Sequence, residues 1–93
     1  MNDEELIQLG LSGKAPLKVI LGGWTETNPD GQKVGVVGLL YVTTDVQQAQ
    51  QQLAHLRKQK PGHYYMVYSV PYDTDLSTLS HWPTLEIDPE DLA

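Results

Sequence analysis

Residues 34–70 read VGVVGLLYVTTDVQQAQQQLAHLRKQKPGHYYMVYSV, and this stretch decides the fold class. It opens and closes with segments rich in Val, Leu and Tyr, at 34–43 and 63–70, and these residue types favour β-strands. The segment between them, 45–59, repeats apolar residues at spacings of three and four, which is typical of a helix. A strand, a helix and a strand joined by short turns predict an α+β domain in which the two strands run in the same direction.

The predicted helix has a signal at each end. Thr44 followed by Gln47 fits a capping box, in which two side chains satisfy backbone N–H groups of the first turn. Pro61-Gly62 ends the helix, because proline lacks the N–H and glycine readily leaves the helical conformation. One narrow apolar stripe marks the face that packs on the sheet, and it consists of Val46, Ala49, Leu53 and Leu56.

Two further elements are predicted before this stretch. Asn2 or Asp3 caps a short helix that Gly10 or Gly13 would end. A strand then follows Pro16, and it is separated from the next strand by a segment dense in turn residues. The sequence Asn-Pro-Asp-Gly at the centre of that segment fits a β-turn with proline second and glycine fourth. The short connection predicts an antiparallel hairpin.

Together these elements predict a single domain with the order α-β-β-α-β-(α)-β. It is an α+β two-layer sandwich with a mixed sheet of three to four strands and one principal helix. Its parts are a short N-terminal helix and loop at 1–15, a core of β-hairpin, helix and strand at 16–70, and a short helix, an edge strand and an acidic tail at 71–93. The edge strand is placed at 84–87, and a last helical turn begins at Pro89.

Both strands of the opening stretch are apolar on their two sides, so we expect them to be central strands of the sheet. Alternation along the first places Val34, Val36, Leu40 and Val42 on one side and Val37, Leu39 and Tyr41 on the other. One long helix covers only one face of such a sheet. The other face needs the N-terminal helix, the residues after Pro71, or another subunit.

Composition limits the classes of function. The 93 residues include no cysteine, and the N-terminal MNDEEL has neither the positive charge nor the apolar run of a signal peptide. No apolar segment approaches the length of a membrane span. The formal net charge of −6 opposes binding to nucleic acid, whose phosphates attract basic proteins. We therefore expect a cytoplasmic protein that binds neither membrane nor nucleic acid.

No catalytic, metal or cofactor site is predicted. The sequence Gly-Leu-Ser-Gly-Lys at 10–14 lacks the spacing and the hydroxyl residue of a phosphate-binding loop. Asp73 and Asp75 are interpreted as cap or turn residues, since no calcium-ligand series accompanies them. Ser77, Ser80 and His81 are the residue types of a nucleophile and its base, but no strand-turn-helix elbow holds them.

The aromatic residues are the one group with the pattern of a ligand site. Strand alternation predicts that Trp24, Tyr41 and Tyr65 share one face of the sheet, with His63 nearby. Aromatic platforms on sheets line ligand pockets, so these four residues are the candidate binding site. Tyrosines also suit half-buried strands, and the alternative is that all four are core and rim residues.

The leading hypothesis is a small non-enzymatic module that binds another protein, or itself as a homodimer, through an apolar sheet face. The alternative is a small-molecule-binding domain, including an enzyme, with an aromatic-lined pocket on the sheet. A third hypothesis, nucleic-acid binding, is disfavoured by the net charge. It would use the basic cluster at the predicted helix end, which consists of His55, Arg57, Lys58 and Lys60.

Overall fold

The computed structural model describes residues 3–80 and 82–92, and it has the α+β architecture and the order α-β-β-α-β that the sequence predicts. The helices and strands are α1 (Asp3–Ser12), β1 (Leu17–Thr27), β2 (Lys33–Thr43), α2 (Val46–Gln59) and β3 (Tyr64–Val70). Two short 3₁₀ helices follow, at Leu76–Thr78 and Pro89–Leu92. The second of these begins at the proline where the sequence predicts a last helical turn.

The strand order in the sheet is β2-β1-β3, and both pairings are antiparallel, so the described sheet has three strands and is antiparallel rather than mixed as predicted. The expectation that β2 and β3 are central strands was wrong, because β1 lies between them. Since both are antiparallel to β1, β2 and β3 do run in the same direction. The expectation failed because an apolar strand need not be covered: most side chains of β2 are exposed.

Local signals locate the turns and helix starts to within a residue. The backbone N–H of Gly31 bonds the Asn28 carbonyl at 2.9 Å, which closes the predicted β-turn, and Gly31 takes a positive φ of 83° that favours glycine. The cap of α2 is Asp45 rather than Thr44, and its carboxylate accepts from the Gln47 N–H at 2.8 Å. The predicted Asn2 cap of α1 lies outside the described residues. α1 continues through Gly10 and ends at Ser12, directly before Gly13, the second of the two predicted end positions.

The register assigns each strand residue to one of two faces. On β1, the face that we call the helix face carries Lys18, Ile20, Gly22 and Trp24, and the opposite face, which we call the tail face, carries Val19, Leu21 and Gly23. A bulge between Ile20 and Leu21 leaves Leu40 of β2 as an extra residue. Because of this extra residue, Tyr41 shares the helix face with Val36, contrary to simple alternation.

Both helices pack on the helix face. α1 lies against β3 so closely that a Cβ atom on Gly10 would overlap the Val67 carbonyl. α2 buries Ala49 and Leu53 beside it, and the two helices are joined by an ion pair between Arg57 and Glu4 at 3.1 Å. The larger part of the buried core therefore fills the layer between the two helices and β1 and β3, as expected for a two-layer sandwich. A smaller part lies on the opposite face of the sheet and consists of Val19, Met66, Tyr68 and Val70.

Lys18 is buried in this layer, with 4% of its surface exposed. Its Nζ donates to the carbonyls of Gly13 at 2.6 Å and Ala15 at 2.9 Å, and to Ser69 Oγ at 2.8 Å. The Ser69 hydroxyl in turn donates to the Gly10 carbonyl. These bonds satisfy carbonyls just beyond α1, where a helix end favours a cation. One side chain thus ties the end of α1 to both β1 and β3.

The tail face is covered in part by the tail, which we define as residues 71–80 and 82–92. The Tyr68 hydroxyl of β3 donates to the Thr84 carbonyl at 2.7 Å. Side chains of the tail then cross the sheet, with Leu85 lying over Gly23 of β1 and Ile87 over Gly35 of β2. The segment 84–87 forms no strand, because it lies across the sheet face instead of extending an edge.

Candidate functional site

The tail leaves part of the tail face of β2 uncovered. Three side chains there are exposed, Val37 by 48%, Leu39 by 60% and Val42 by 47%, and we call them the β2 patch. Equivalent positions on the other strands are buried: Met66 and Tyr68 of β3 are each 4% exposed. The β2 patch is therefore the part of the apolar sheet face that this chain does not cover.

The edge of the sheet at β2 carries little protection against another chain. β2 has a neighbouring strand on one side only, and its sequence from Val34 to Thr43 contains no charge and no proline. Exposed edge strands usually carry charged residues, proline or bulges that prevent pairing with other proteins. Of these devices β2 has the bulge at Leu40, whose side chain packs over Gly22 and Gly38 of the helix face. Sequence analysis missed this exposure because it expected β2 to be central.

Three of the four predicted ligand-site residues come together at one end of the sheet. The rings of Trp24 and His63 are stacked, with centroids 4.9 Å apart and planes 11° apart. His63 also lies 6.4 Å from Tyr65 in a tilted arrangement. The indole N–H of Trp24 donates to Glu26 Oε1 at 2.9 Å, a partner that sequence analysis did not identify. This arrangement places a flat ring pair, partly exposed, beside a carboxylate.

The two tyrosines of the predicted site, Tyr41 and Tyr65, contribute less to ligand binding than the Trp24–His63 pair. Tyr41 is on the same face but pairs with Ile20, two register steps from the position where Tyr65 pairs with Gly22. Tyr65 is buried, and its hydroxyl lies 3.1 Å from the carbonyls of both Leu56 and Lys60. Burial raises the pKa of the Tyr65 hydroxyl above its usual range. Its role is to hold the end of α2 on the sheet.

A half-open cavity of about 850 Å³ lies beside the Trp24–His63 pair. The sheet end forms one wall, with Trp24, His63 and Tyr64, and the tail forms the other. Three acidic residues of the tail, Glu86, Asp88 and Asp91, line it as well. The volume is within the range of small-molecule sites, which are lined by aromatic residues and a few polar groups.

Two other candidate groups have structural roles, in helix capping and at a helix end. Asp75 caps the first 3₁₀ helix, as predicted for this acidic pair, and the hydroxyl and backbone N–H of Ser77 hold the pKa of its carboxyl below the usual range. The hypothetical Ser77, Ser80 and His81 group falls partly outside the described residues, since His81 is not among them. Arg57 and Lys58 lie in the last turn of α2, where the negative end of the helix dipole stabilises cations.

Within residues 3–80 and 82–92, no three His, Asp or Glu side chains are grouped in a way that would hold a metal ion. In the same part of the chain, neither helix has the length and apolar character needed to cross a membrane. Comparisons with models of protein families, with curated proteins and with solved structures gave no match. The geometry of the described residues is therefore the basis for a functional assignment.

Proposed function

We propose that this chain is a non-enzymatic interaction module that binds a protein surface through the β2 patch. The observation that carries the proposal is the exposure of Val37, Leu39 and Val42 on one face of an edge strand that contains no charge from Val34 to Thr43. Single exposed apolar side chains are common on soluble proteins, whereas contiguous exposed apolar patches mark interaction sites. The cytoplasm as its compartment is part of the proposal and rests on the absence of cysteine.

The position of the β2 patch supports the same proposal. Fully burying a leucine or valine side chain contributes about 1.5–3 kcal/mol, and the half-exposed members of the patch forgo much of this in the isolated chain. Polar residues would serve equally well there for folding, since α1 and α2 lie on the other face. A contact with another protein surface would recover the forgone burial.

Photo-crosslinking inside the producing cell tests this proposal. A photoreactive amino acid at position 39 should yield a discrete cross-linked product, because the patch is in contact with a protein surface. The matched control is the same amino acid at Leu9 of α1, a leucine that is 49% exposed and distant from β2 in the sequence. Equal labelling at both positions, or none at position 39, would contradict the proposal.

A second candidate function, small-molecule binding, is favoured by the Trp24–His63 pair and its cavity. The carboxylates of Glu86, Asp88 and Asp91 would favour ligands that are cationic and carry a flat or apolar part. In this alternative the tail serves as a wall of the binding site.

Fluorescence of Trp24 tests the second candidate. The variant Trp82→Phe leaves Trp24 as the single tryptophan, since the chain has two. Titration with a panel of aromatic amines should change its emission in a saturable way, and the change should disappear in His63→Ala. Emission that stays constant across the panel, or the same response in His63→Ala, would count against a ligand site here.

A further inference from the structure

The β2 patch is smaller than the surface that a stable protein contact buries. Each partner in a standard interface buries about 800 Å² and contributes roughly 20–30 residues. The β2 patch offers three side chains, each about half exposed. A partner that packs on the β2 patch therefore also meets whatever lies next to it on the tail face.

The neighbour of the β2 patch on that face is the segment 83–88, which we call the strap. Leu85 of the strap lies over Gly23, and Gly23 is the register partner of Val37. Ile87 lies over Gly35, on the same face of β2 as Val37. The strap therefore borders the β2 patch directly.

Two apolar rows cross the tail face from β2 through β1 to β3, and in register they are Leu39–Leu21–Met66 and Val42–Val19–Tyr68. The β2 ends of both rows are exposed, whereas Met66 and Tyr68 at the β3 ends are each 4% exposed. The strap lies at the β3 ends, where the Tyr68 hydroxyl donates to the Thr84 carbonyl at 2.7 Å and Leu85 packs against the buried core. Displacement of the strap would therefore extend the exposed apolar face from β2 to β3.

Few interactions hold the strap on the sheet. Exposure alternates along it, with Pro83, Leu85 and Ile87 half-buried and the residues between them exposed, so the strap is an extended segment with one side toward the sheet. Among the described residues, no backbone–backbone hydrogen bond joins 83–88 to a strand. Segments with few buried contacts and few backbone bonds are those that open locally while the rest of a domain stays folded.

The outward side of the strap does not suit the contact that the β2 patch makes. The patch is aliphatic, so the surface that packs on it is apolar, whereas the strap directs Glu86 and Asp88 outward beside it. An apolar surface that covered the closed strap would have to remove these carboxylates from water, which is unfavourable. The same surface would meet apolar side chains if the strap had moved away.

Resting on the proposed function, we infer that the strap is an intramolecular cover of the interaction face and leaves the sheet when the partner binds. In the closed state the partner has access to the β2 patch alone. In the open state the apolar face continues to Met66 and Tyr68 of β3. The strap thereby competes with the partner, and the cost of opening lowers the affinity of the contact.

Oxidation of Met66 by hydrogen peroxide measures the opening of the strap in the purified chain. Peptide mapping by mass spectrometry separates Met66 from Met1, the other methionine. Oxidation through local opening should depend only weakly on urea below the unfolding transition, because the opening exposes little surface. A rate that rises with urea as steeply as global unfolding does would overturn the inference.

A disulfide that fixes the strap supplies the matched comparison. A Cβ atom on Gly35 would lie 3.5 Å from Ile87 Cβ, within the span of about 3.5–4.5 Å that disulfides bridge, and the chain has no cysteine of its own. The disulfide form of Gly35→Cys with Ile87→Cys should slow Met66 oxidation by about tenfold or more, because it prevents local opening. Gly35→Ser with Ile87→Ser cannot form the bond and should not slow it. Equal rates in the two variants would show that peroxide reaches Met66 without opening, and would overturn the inference.

Photo-crosslinking in the producing cell tests the competition with the partner. With the photoreactive amino acid at position 39, Leu85→Ser should increase the yield of the cross-linked product, and Leu9→Ser on α1 should leave it unchanged. A yield that stays constant or falls in Leu85→Ser would overturn the covering role of the strap and leave the proposed function intact. No product at position 39 in any variant would instead contradict the proposed function, and the covering role with it, whatever the oxidation of Met66 shows about opening.

Discussion

Gly10→Ala is expected to lower the free energy of unfolding by about 3 kcal/mol or more, at the upper end of the effects of overpacking. The added methyl group would overlap the backbone carbonyl of Val67, which has no rotamer through which to move away. α1 would have to withdraw from β3, and the buried side chains of Ile7 and Leu11 would lose contact with the sheet. Helix propensity acts in the opposite direction, since alanine favours a helix by about 0.8–1.0 kcal/mol over glycine. A net decrease in the free energy of unfolding would therefore show that the overlap with Val67 outweighs the gain in helix propensity.

Urea denaturation measures this effect, and Gly62→Ala is the matched control. A Cβ atom on Gly62 would meet no atom within 4 Å, and its backbone does not take a positive φ, so its substitution should change stability little. If Gly10→Ala unfolds at the same urea concentration as the unmodified protein or at a higher one, the contact between α1 and β3 described above is wrong.

Leu53→Asp is expected to leave the chain unfolded at neutral pH. Leu53 is 5% exposed and is one of two α2 residues buried against the sheet. Truncating a buried leucine alone costs about 2–5 kcal/mol, and placing a carboxylate in the same position adds the cost of removing a charge from water. A domain of this size has a total stability of only about 5–14 kcal/mol.

Far-UV circular dichroism and the dispersion of amide NMR signals follow the loss of structure. Gln51→Asp, an exposed position on the same helix, introduces the same side chain without burial and should remain folded. A Leu53→Asp variant that melts at the temperature of the unmodified protein would contradict the assignment of the buried stripe of α2.

The elements that the sequence predicted are those set by neighbouring residues. The turn before β2, the start of the last 3₁₀ helix and the end of α2 each depend on a few adjacent residues, such as Gly31 and Pro89. Strand order depends on contacts between residues far apart in the chain, and here the prediction was wrong. Gly10 shows the same limit. The sequence suggested that this glycine could end α1, but it lies within α1 and allows the helix to approach β3 closely.

The candidate site was partly predictable for the same reason. Strand parity predicted that Trp24, Tyr41 and Tyr65 share a face, and the register agrees. Relative to simple alternation from Val36, the bulge at Leu40 reverses the faces on which Tyr41 and Val42 lie. No residue type in β2 indicates that a bulge is present. The exposure of Leu39 follows from the strand order and from the path of the tail, neither of which the local sequence specifies.

The packing of α1 against β3 has a consequence for how the chain folds as it is synthesised. α1 is synthesised more than 50 residues before the groups that it packs on, the Val67 carbonyl and the Ser69 side chain of β3. The hairpin of β1 and β2 can form early because its contacts are local, whereas the docking of α1 must wait for β3. Nascent chains that end before β3 therefore carry an undocked helix and an unpaired β1 edge, and arrival of β3 completes both in one step.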